Sequence, residues 1–235
     1  MQLAEDEVHL WRIATDRPRD LPSLRELLAP DERAKADRFR FEGDRRRSIV
    51  RRAALREILA RYADALPAEL AFCYGPQGKP AFAPPFRDFG IEFNLSFSGE
   101  TALCAVGRRS LGVDVERYRV IEDAGLVAKH FFTPTEISVQ SEAEDANRVF
   151  LRHWTRKEAL IKATGSGLSV PLNSFDVSWL PDGTGHPVGL ADAEGRLTTW
   201  YVHDLSPFPE ELAALATAFP EAKIRWCDGH ALYSS

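Results

Sequence analysis

Leu111-Gly112-Val113-Asp114-Val115-Glu116 reads as a strand with two unlike faces. In extended chain, residues i and i+2 point the same way. Asp114 and Glu116 therefore share one face. Leu111, Val113 and Val115 share the other, the face suited to a core. Two carboxylates side by side repel unless something positive lies between them. A hard cation such as Mg²⁺ takes oxygen ligands, often one or two carboxylates together with substrate phosphates. The pair is equally the solvent side of an amphipathic strand, so the spacing alone leaves both readings open.

Downstream, Thr133-Pro134-Thr135-Glu136 has the form of a helix start, a capping threonine followed by proline. A long helix is predicted over about Ala146 to Thr164, stopped by Gly165. It contains Trp154-Thr155-Arg156-Lys157-Glu158-Ala159-Leu160-Ile161-Lys162. Glu158 and Lys162 stand four apart and share a helix face, with Trp154 one turn earlier. They are either a surface pair worth about 0.3–0.5 kcal/mol, or a third metal ligand or base beside a lysine that neutralises phosphate. Short strands are predicted near Ser174 to Trp179, Thr198 to His203 and Ala222 to Cys227.

Upstream, Val8 to Ala14 reads as a strand, Pro30-Asp31-Glu32 as a helix start, and about Asp44 to Tyr62 as a helix with Ile49, Ala53, Ile58 and Leu59 at helical spacing. Gly75-Pro76-Gln77-Gly78-Lys79-Pro80 is a loop by composition. It is not a phosphate loop of the GxxxxGK[ST] kind, because Pro80 follows Lys79. Ile91 to Leu95 and Ala102 to Val106 read as paired strands turned at Ser98-Gly99-Glu100. The two parts of the chain rhyme: each has a strand, a Pro-x-Glu helix start, a long helix and a glycine loop.

The net charge of −5 argues against nucleic acid as a partner. The charge is uneven: Asp31 to Arg61 holds 11 Lys/Arg and 6 Asp/Glu, or +5, which leaves −10 for the rest. A local basic patch on an acidic protein suits a small polyanion, although a solvated helix face would look the same. No apolar run approaches the roughly 18–20 residues that span a bilayer, and the acidic first residues lack the form of a secretory signal. Cys73, Cys104 and Cys227 are odd in number and without CxxC spacing, so a reducing cytoplasm is expected.

Taken in order, Gly78-Lys79-Pro80, Phe93-Asn94-Leu95-Ser96, Gly112-Val113-Asp114-Val115-Glu116, Phe131-Phe132-Thr133-Pro134-Thr135-Glu136, the Trp154–Lys162 stretch and Gly165-Ser166-Gly167-Leu168 resemble the Sfp-type 4′-phosphopantetheinyl transferases. The likeness runs from about Pro30 to Val177. The GxDxE and WxxKEAxxK motifs, about 40 residues apart, are specific as a pair. The resemblance implies an α+β fold, a pseudo-two-fold monomer of two similar halves, here 1–108 and 109–235, with coenzyme A in the cleft between them. It implies transfer of the 4′-phosphopantetheine arm of coenzyme A to a serine of an apo acyl or peptidyl carrier protein, the activity of a holo-[acyl-carrier-protein] synthase.

The resemblance further implies that Asp114, Glu116 and Glu158 bind Mg²⁺, with Glu158 as base, and that Lys162 meets the coenzyme A phosphates. Lys35 and Arg47-Ser48 would hold the 3′-phosphate or adenine end, and Lys79 and Ser96 would line the same groove. The segment from Leu126 to Phe132 is a candidate surface for the carrier protein. One departure stands out. The family usually reads Asn-x-Ser-His-Ser, with the histidine on a coenzyme A phosphate, whereas this chain has Phe97, which can neither donate to a phosphate nor pair with its charge. Two other readings compete: a coenzyme A-binding protein with weakened chemistry, and a different magnesium-dependent phosphate-transfer enzyme.

Overall fold

The structure is a computed structural model that describes residues 1–16, 20–165, 167, 170–179, 185–191, 195–205 and 209–227. Strand β1 (Glu7–Ala14) is followed by helices α1 (Leu21–Glu26), α2 (Pro30–Asp37) and α3 (Glu42–Ala63), and then by the short hairpin β2 (Phe72–Tyr74) and β3 (Pro80–Phe82). Strands β4 (Glu92–Ser98), β5 (Thr101–Gly107) and β6 (Leu111–Arg117) lead into α4 (Ala124–Phe131), α5 (Pro134–Glu142) and α6 (Ala146–Thr164). Strands β7 (His186–Ala191), β8 (Leu197–Asp204), β9 (Glu211–Thr217) and β10 (Lys223–Cys227) complete the chain.

Two four-stranded sheets form, in the orders β10-β1-β5-β4 and β6-β9-β8-β7. The rhyme in the sequence is real at this level. In each half the first strand pairs antiparallel with the last of three, which pairs antiparallel with the second (β1, β5, β4 and β6, β9, β8). The α+β pseudo-two-fold expectation is met. The symmetry breaks at the edges. β10, from the end of the chain, runs parallel to β1 and covers its outer edge. The equivalent outer edge of β6 has no ladder partner and faces β4.

The layers are helix, sheet, sheet, helix. Val8 and Leu10 of β1, Leu103 and Ala105 of β5, Val113 and Val115 of β6, and Ala213 and Leu215 of β9 pack between the sheets. The outer face of the first sheet packs on Leu55, Ile58 and Leu59 of α3. The outer face of the second packs on Ala159, Leu160 and Ala163 of α6. The helix ends follow from local chemistry. The Thr133 hydroxyl accepts from Glu136 N at 3.2 Å and the Glu136 carboxylate accepts from Thr133 N at 2.8 Å, which satisfies two otherwise orphaned N–H groups of α5. Asp145 accepts from Arg148 N at the start of α6, and Gly165 closes it in the left-handed conformation, φ +68°.

Each half is pinned by a buried cation on its long helix. Arg56 of α3 donates to Glu32 at 2.7 Å and to the carbonyls of Pro67 and Leu70. Lys157 of α6 sits 2.9 Å from Glu136 and donates to the carbonyls of Leu172 and Phe175, each at 2.7 Å. In both, the acid is the glutamate of the Pro-x-Glu start, and the carbonyls come from the loop after the helix. Removing one member of such a pair strands the other. Lys157→Met is therefore expected to destabilise the fold by about 3–5 kcal/mol, read as a lowered urea midpoint at unchanged slope.

The strand predicted near Ser174 to Trp179 does not form. A 3₁₀ turn covers Leu172–Ser174, and no ladder follows. The backbone groups there are engaged by side chains instead. Arg156 donates to the carbonyls of Val177 and Trp179 at 2.6 and 2.7 Å, and Glu136 accepts from Val177 N at 2.7 Å. Ser166, Leu168 and His230 lie outside the described residues.

Candidate active site

The unladdered edge of β6 meets β4, and the polar residues of the two strands interlock across that seam. Asn94 Oδ1 accepts from Val113 N at 2.9 Å. Asp114 Oδ1 accepts from Ser96 Oγ and from Lys162 Nζ, both at 2.6 Å. Lys162 Nζ also donates to Ser96 Oγ at 2.9 Å. Two residues along, Glu116 Oε2 accepts from Ser98 Oγ at 2.7 Å and from Arg119 at 2.8 Å. The i, i+2 alternation of both strands thus matches serine to carboxylate, rung by rung.

Helix α6 reaches this patch because Gly112 lets it come close. A Cβ at Gly112 would overlap the Ala159 carbonyl oxygen and the Ala163 nitrogen, and would lie 2.8 Å from the Lys162 carbonyl carbon. With no side chain there, Glu158 and Lys162 are carried directly over Asp114. Burial raises the Asp114 carboxyl above its ordinary value, with Glu116 adding to it, against the opposing pull of Lys162 and Ser96. Burial likewise raises Glu158, helped by the Asp114 and Glu116 charges. The three acids therefore sense one another. Among the described residues, no group of three Asp, Glu, His or Cys side chains is placed so that it could hold a metal ion, and the ammonium of Lys162 rests on Asp114. One observation fits a cation at this patch: Asp114 Oδ2 is buried without a hydrogen-bond partner.

Two hollows extend from the patch. One, of about 420 Å³, is lined by Glu158, Lys162, Lys79, Asn94 and Gly165 among others. The second, of about 480 Å³, is lined by Lys35, Arg47, Ser48, Arg51, Arg52 and Phe97 among others. They share Gly78, Pro80 and Leu95 as walls, so they form one groove, arginine-rich at one end and lined at the other by Glu158, Lys79 and Lys162. A third hollow, of about 440 Å³, lies elsewhere, around Arg12, Thr101 and Glu211. Its arginines are paired, Arg12 with Glu211 at 2.6 Å and Arg117 with Glu210 at 3.7 Å, and none of the predicted residues lines it.

Lys35, Arg47 and Ser48 thus lie together in the groove. Arg47 pairs with Asp44 at 2.6 Å. Ser96 is buried behind Asp114 and touches the groove only through Lys162. Lys79 lines the groove as expected, but most of its donors are used within the fold. Its Nζ donates to the carbonyls of Leu111 and Lys162, at 2.9 and 2.8 Å, so the ammonium ties β3 to β6 and to the end of α6, with one donor left over. Burial lowers its pKa accordingly. Phe97 is 53% exposed and lies under the guanidinium of Arg51. In α4, Leu126, Lys129, His130 and Phe131 are exposed, whereas Phe132 is core.

Residues 110–226 match the model of the 4′-phosphopantetheinyl transferase superfamily, and residues 11–108 that of the 4′-phosphopantetheinyl transferase N-terminal region. The chain is 38% identical over 222 residues to the 4′-phosphopantetheinyl transferase HetI of Nostoc sp., covering 93% of this chain and 90% of that protein. It belongs to the 4′-phosphopantetheinyl transferase family. A 4′-phosphopantetheinyl transferase of Bacillus subtilis is 33% identical over 94% of this chain and 95% of its own length. Sfp of Bacillus subtilis is 30% identical over 74% of this chain and 78% of its own. The recognised motifs of this transferase thus fall on β4, β6 and α6, the elements that meet at the seam. Among the described residues, no helix is long and apolar enough to cross a membrane.

Sequence reasoning missed Arg119 and Arg51, and it read Ser98 as an anion donor or a turn serine and not as the partner of Glu116. Ser98 had a signal, because it stands two residues from Ser96 as Glu116 stands two from Asp114. Arg51 had none, since it was one arginine of a basic run.

Proposed function

We propose that this transferase moves the 4′-phosphopantetheine arm of coenzyme A onto a serine hydroxyl of an apo acyl or peptidyl carrier protein, as a holo-[acyl-carrier-protein] synthase does, and releases 3′,5′-ADP. The observation that carries the reading is the single groove running from the Lys35, Arg47 and Ser48 cluster to Glu158 and Lys162, with Asp114 buried behind it as the acceptor for Lys162. Coenzyme A has the matching form, with a 3′-phosphate at one end of its nucleotide and a diphosphate at the other. The protein acts as a cytoplasmic monomer, with no nucleic-acid partner.

The serine oxygen attacks the β-phosphorus, the P–O bond to the nucleotide breaks, and the leaving electrons go to 3′,5′-ADP. Lys162, already at the carboxylate patch, offsets the charge that shifts onto the leaving phosphate. Glu158 takes the serine proton. Its raised pKa brings it nearer to the range where a carboxylate is an effective base. Asp114, Glu116 and Glu158 would hold Mg²⁺, and the buried, unpartnered Oδ2 of Asp114 is the acceptor that fits it best. When bound, such an ion polarises phosphate oxygens as a Lewis acid. Ser96 and Ser98 keep the two strand carboxylates aimed across the seam. The acidic helix of a carrier protein suits the exposed face of α4, with Leu126, Lys129 and Phe131.

The test is incubation with coenzyme A, Mg²⁺ and a panel of apo carrier proteins, read by intact mass. Gain of one phosphopantetheine on a carrier serine is the expected result. No gain on any carrier, with phosphate released from nucleotides instead, would replace the reading with a hydrolase.

A further inference from the structure

The basic end of the groove contains one guanidinium that is immobilised but not neutralised. The arginines beside it each hold a carboxylate. Arg52 pairs with Glu32 and donates to the Tyr74 hydroxyl, and Arg47 pairs with Asp44. Arg51 has no ion-pair partner among the described residues. Its Cζ lies 3.7 Å from the centre of the Phe97 ring, and one Nη donates to the Gly99 carbonyl at 2.8 Å. Its Nε is buried and unpartnered. Burial and then the like charge of Arg47 lower its pKa to about 10, against a weaker opposing pull from Asp44, so it stays charged at neutral pH. A partly desolvated cation beside a second cation is costly unless an anion answers it. The ring beneath it supplies orientation and some cation–π attraction but no counter-charge.

We propose that Arg51, laid over Phe97, is a further phosphate-gripping residue of this groove beside Lys35 and Arg47, with Phe97 as the positioning residue that aims it. The proposal rests on coenzyme A as the groove's ligand. A planar guanidinium matches phosphate oxygens with paired N–H donors, whereas a lysine offers a mobile point charge. The platform also accounts for an exposed phenyl ring where the family usually has a histidine. The cation has moved from the strand to the helix facing it, and the strand keeps the surface on which it lies.

The test is calorimetric titration with coenzyme A and with adenosine 3′,5′-bisphosphate, alongside steady-state kinetics. Arg51→Ala and Arg51→Lys are expected to weaken coenzyme A binding by about ten- to a hundredfold and about threefold or more respectively. KM for coenzyme A should rise much more than kcat falls, with the ligand-free melting temperature unchanged. Phe97→Leu should weaken binding about three- to tenfold, and Phe97→Tyr, which keeps the ring, should restore it. Arg51→Ala and Arg51→Lys that bind coenzyme A as tightly as the parent would overturn the proposal while the function stands. Weak binding in Arg51→Ala with Phe97→Leu unaffected would overturn the platform. A parent protein that binds neither ligand would sink the coenzyme A reading, and this inference with it.

Discussion

Glu158→Gln is expected to lower carrier modification by about a hundred- to ten-thousandfold, with coenzyme A still bound and the fold no less stable. The glutamine has nearly the same shape but cannot take a proton from the attacking serine. It also lacks the charge that a cation at the patch would need. The stability half of the expectation comes from electrostatics. Burial and the Asp114 and Glu116 charges all disfavour the ionised Glu158, so removing that charge relieves strain in the folded state. Lost activity at equal or higher melting temperature separates a site role from a scaffold role. Single-turnover transfer followed by mass spectrometry reads the first, and thermal melting the second. A variant that labels carrier protein at the parent rate would remove Glu158 from the chemistry.

Gly112→Ala is expected to be the most damaging single methyl group in the protein. The added carbon would overlap backbone atoms of Ala159 and Ala163 rather than the end of a flexible side chain. Neither α6 nor β6 can yield locally, since Arg156 ties the helix to Asp204 of β8 and Lys157 ties it to the loop that follows it. Overpacking of ordinary cores costs about 1–3 kcal/mol, and this site lies at or above the upper end. If the protein folds at all, α6 must withdraw, taking Glu158 and Lys162 from Asp114. Activity should then fall further than stability. A variant with parental urea midpoint and parental transfer rate would show that the close approach is not required.

Much of this seam was legible in the sequence because its logic is local. The two-residue spacing of Asp114 and Glu116 and the four-residue spacing of Glu158 and Lys162 each fix a shared face once strand and helix are recognised. The ends of α6 follow from Asp145 and Gly165. Longer-range features were hidden. Glu-Leu-Ala-Ala-Leu-Ala-Thr of β9 lies between two strands and is buried throughout, so it shows no alternation to read. Residues 174–179 have strand-like composition, but side chains of α5 and α6 claim their backbone groups. Lys157 reads as one more charged residue of a motif, and only the fold reveals it as the pin of its half. Lys79 looks like a ligand residue in a glycine loop, yet its donors meet carbonyls that are distant in sequence. Arg51 gains meaning only when α3 is laid against β4.

The strand that closes the outer edge of β1 has a consequence for counting. A chain built of two like halves has two places where strand edges could meet and form a crevice. Among the described residues, only the β4–β6 meeting stays open, because β10 covers β1 and β7 covers β8. The internal doubling therefore yields a single working centre, and titration should return one coenzyme A for each polypeptide.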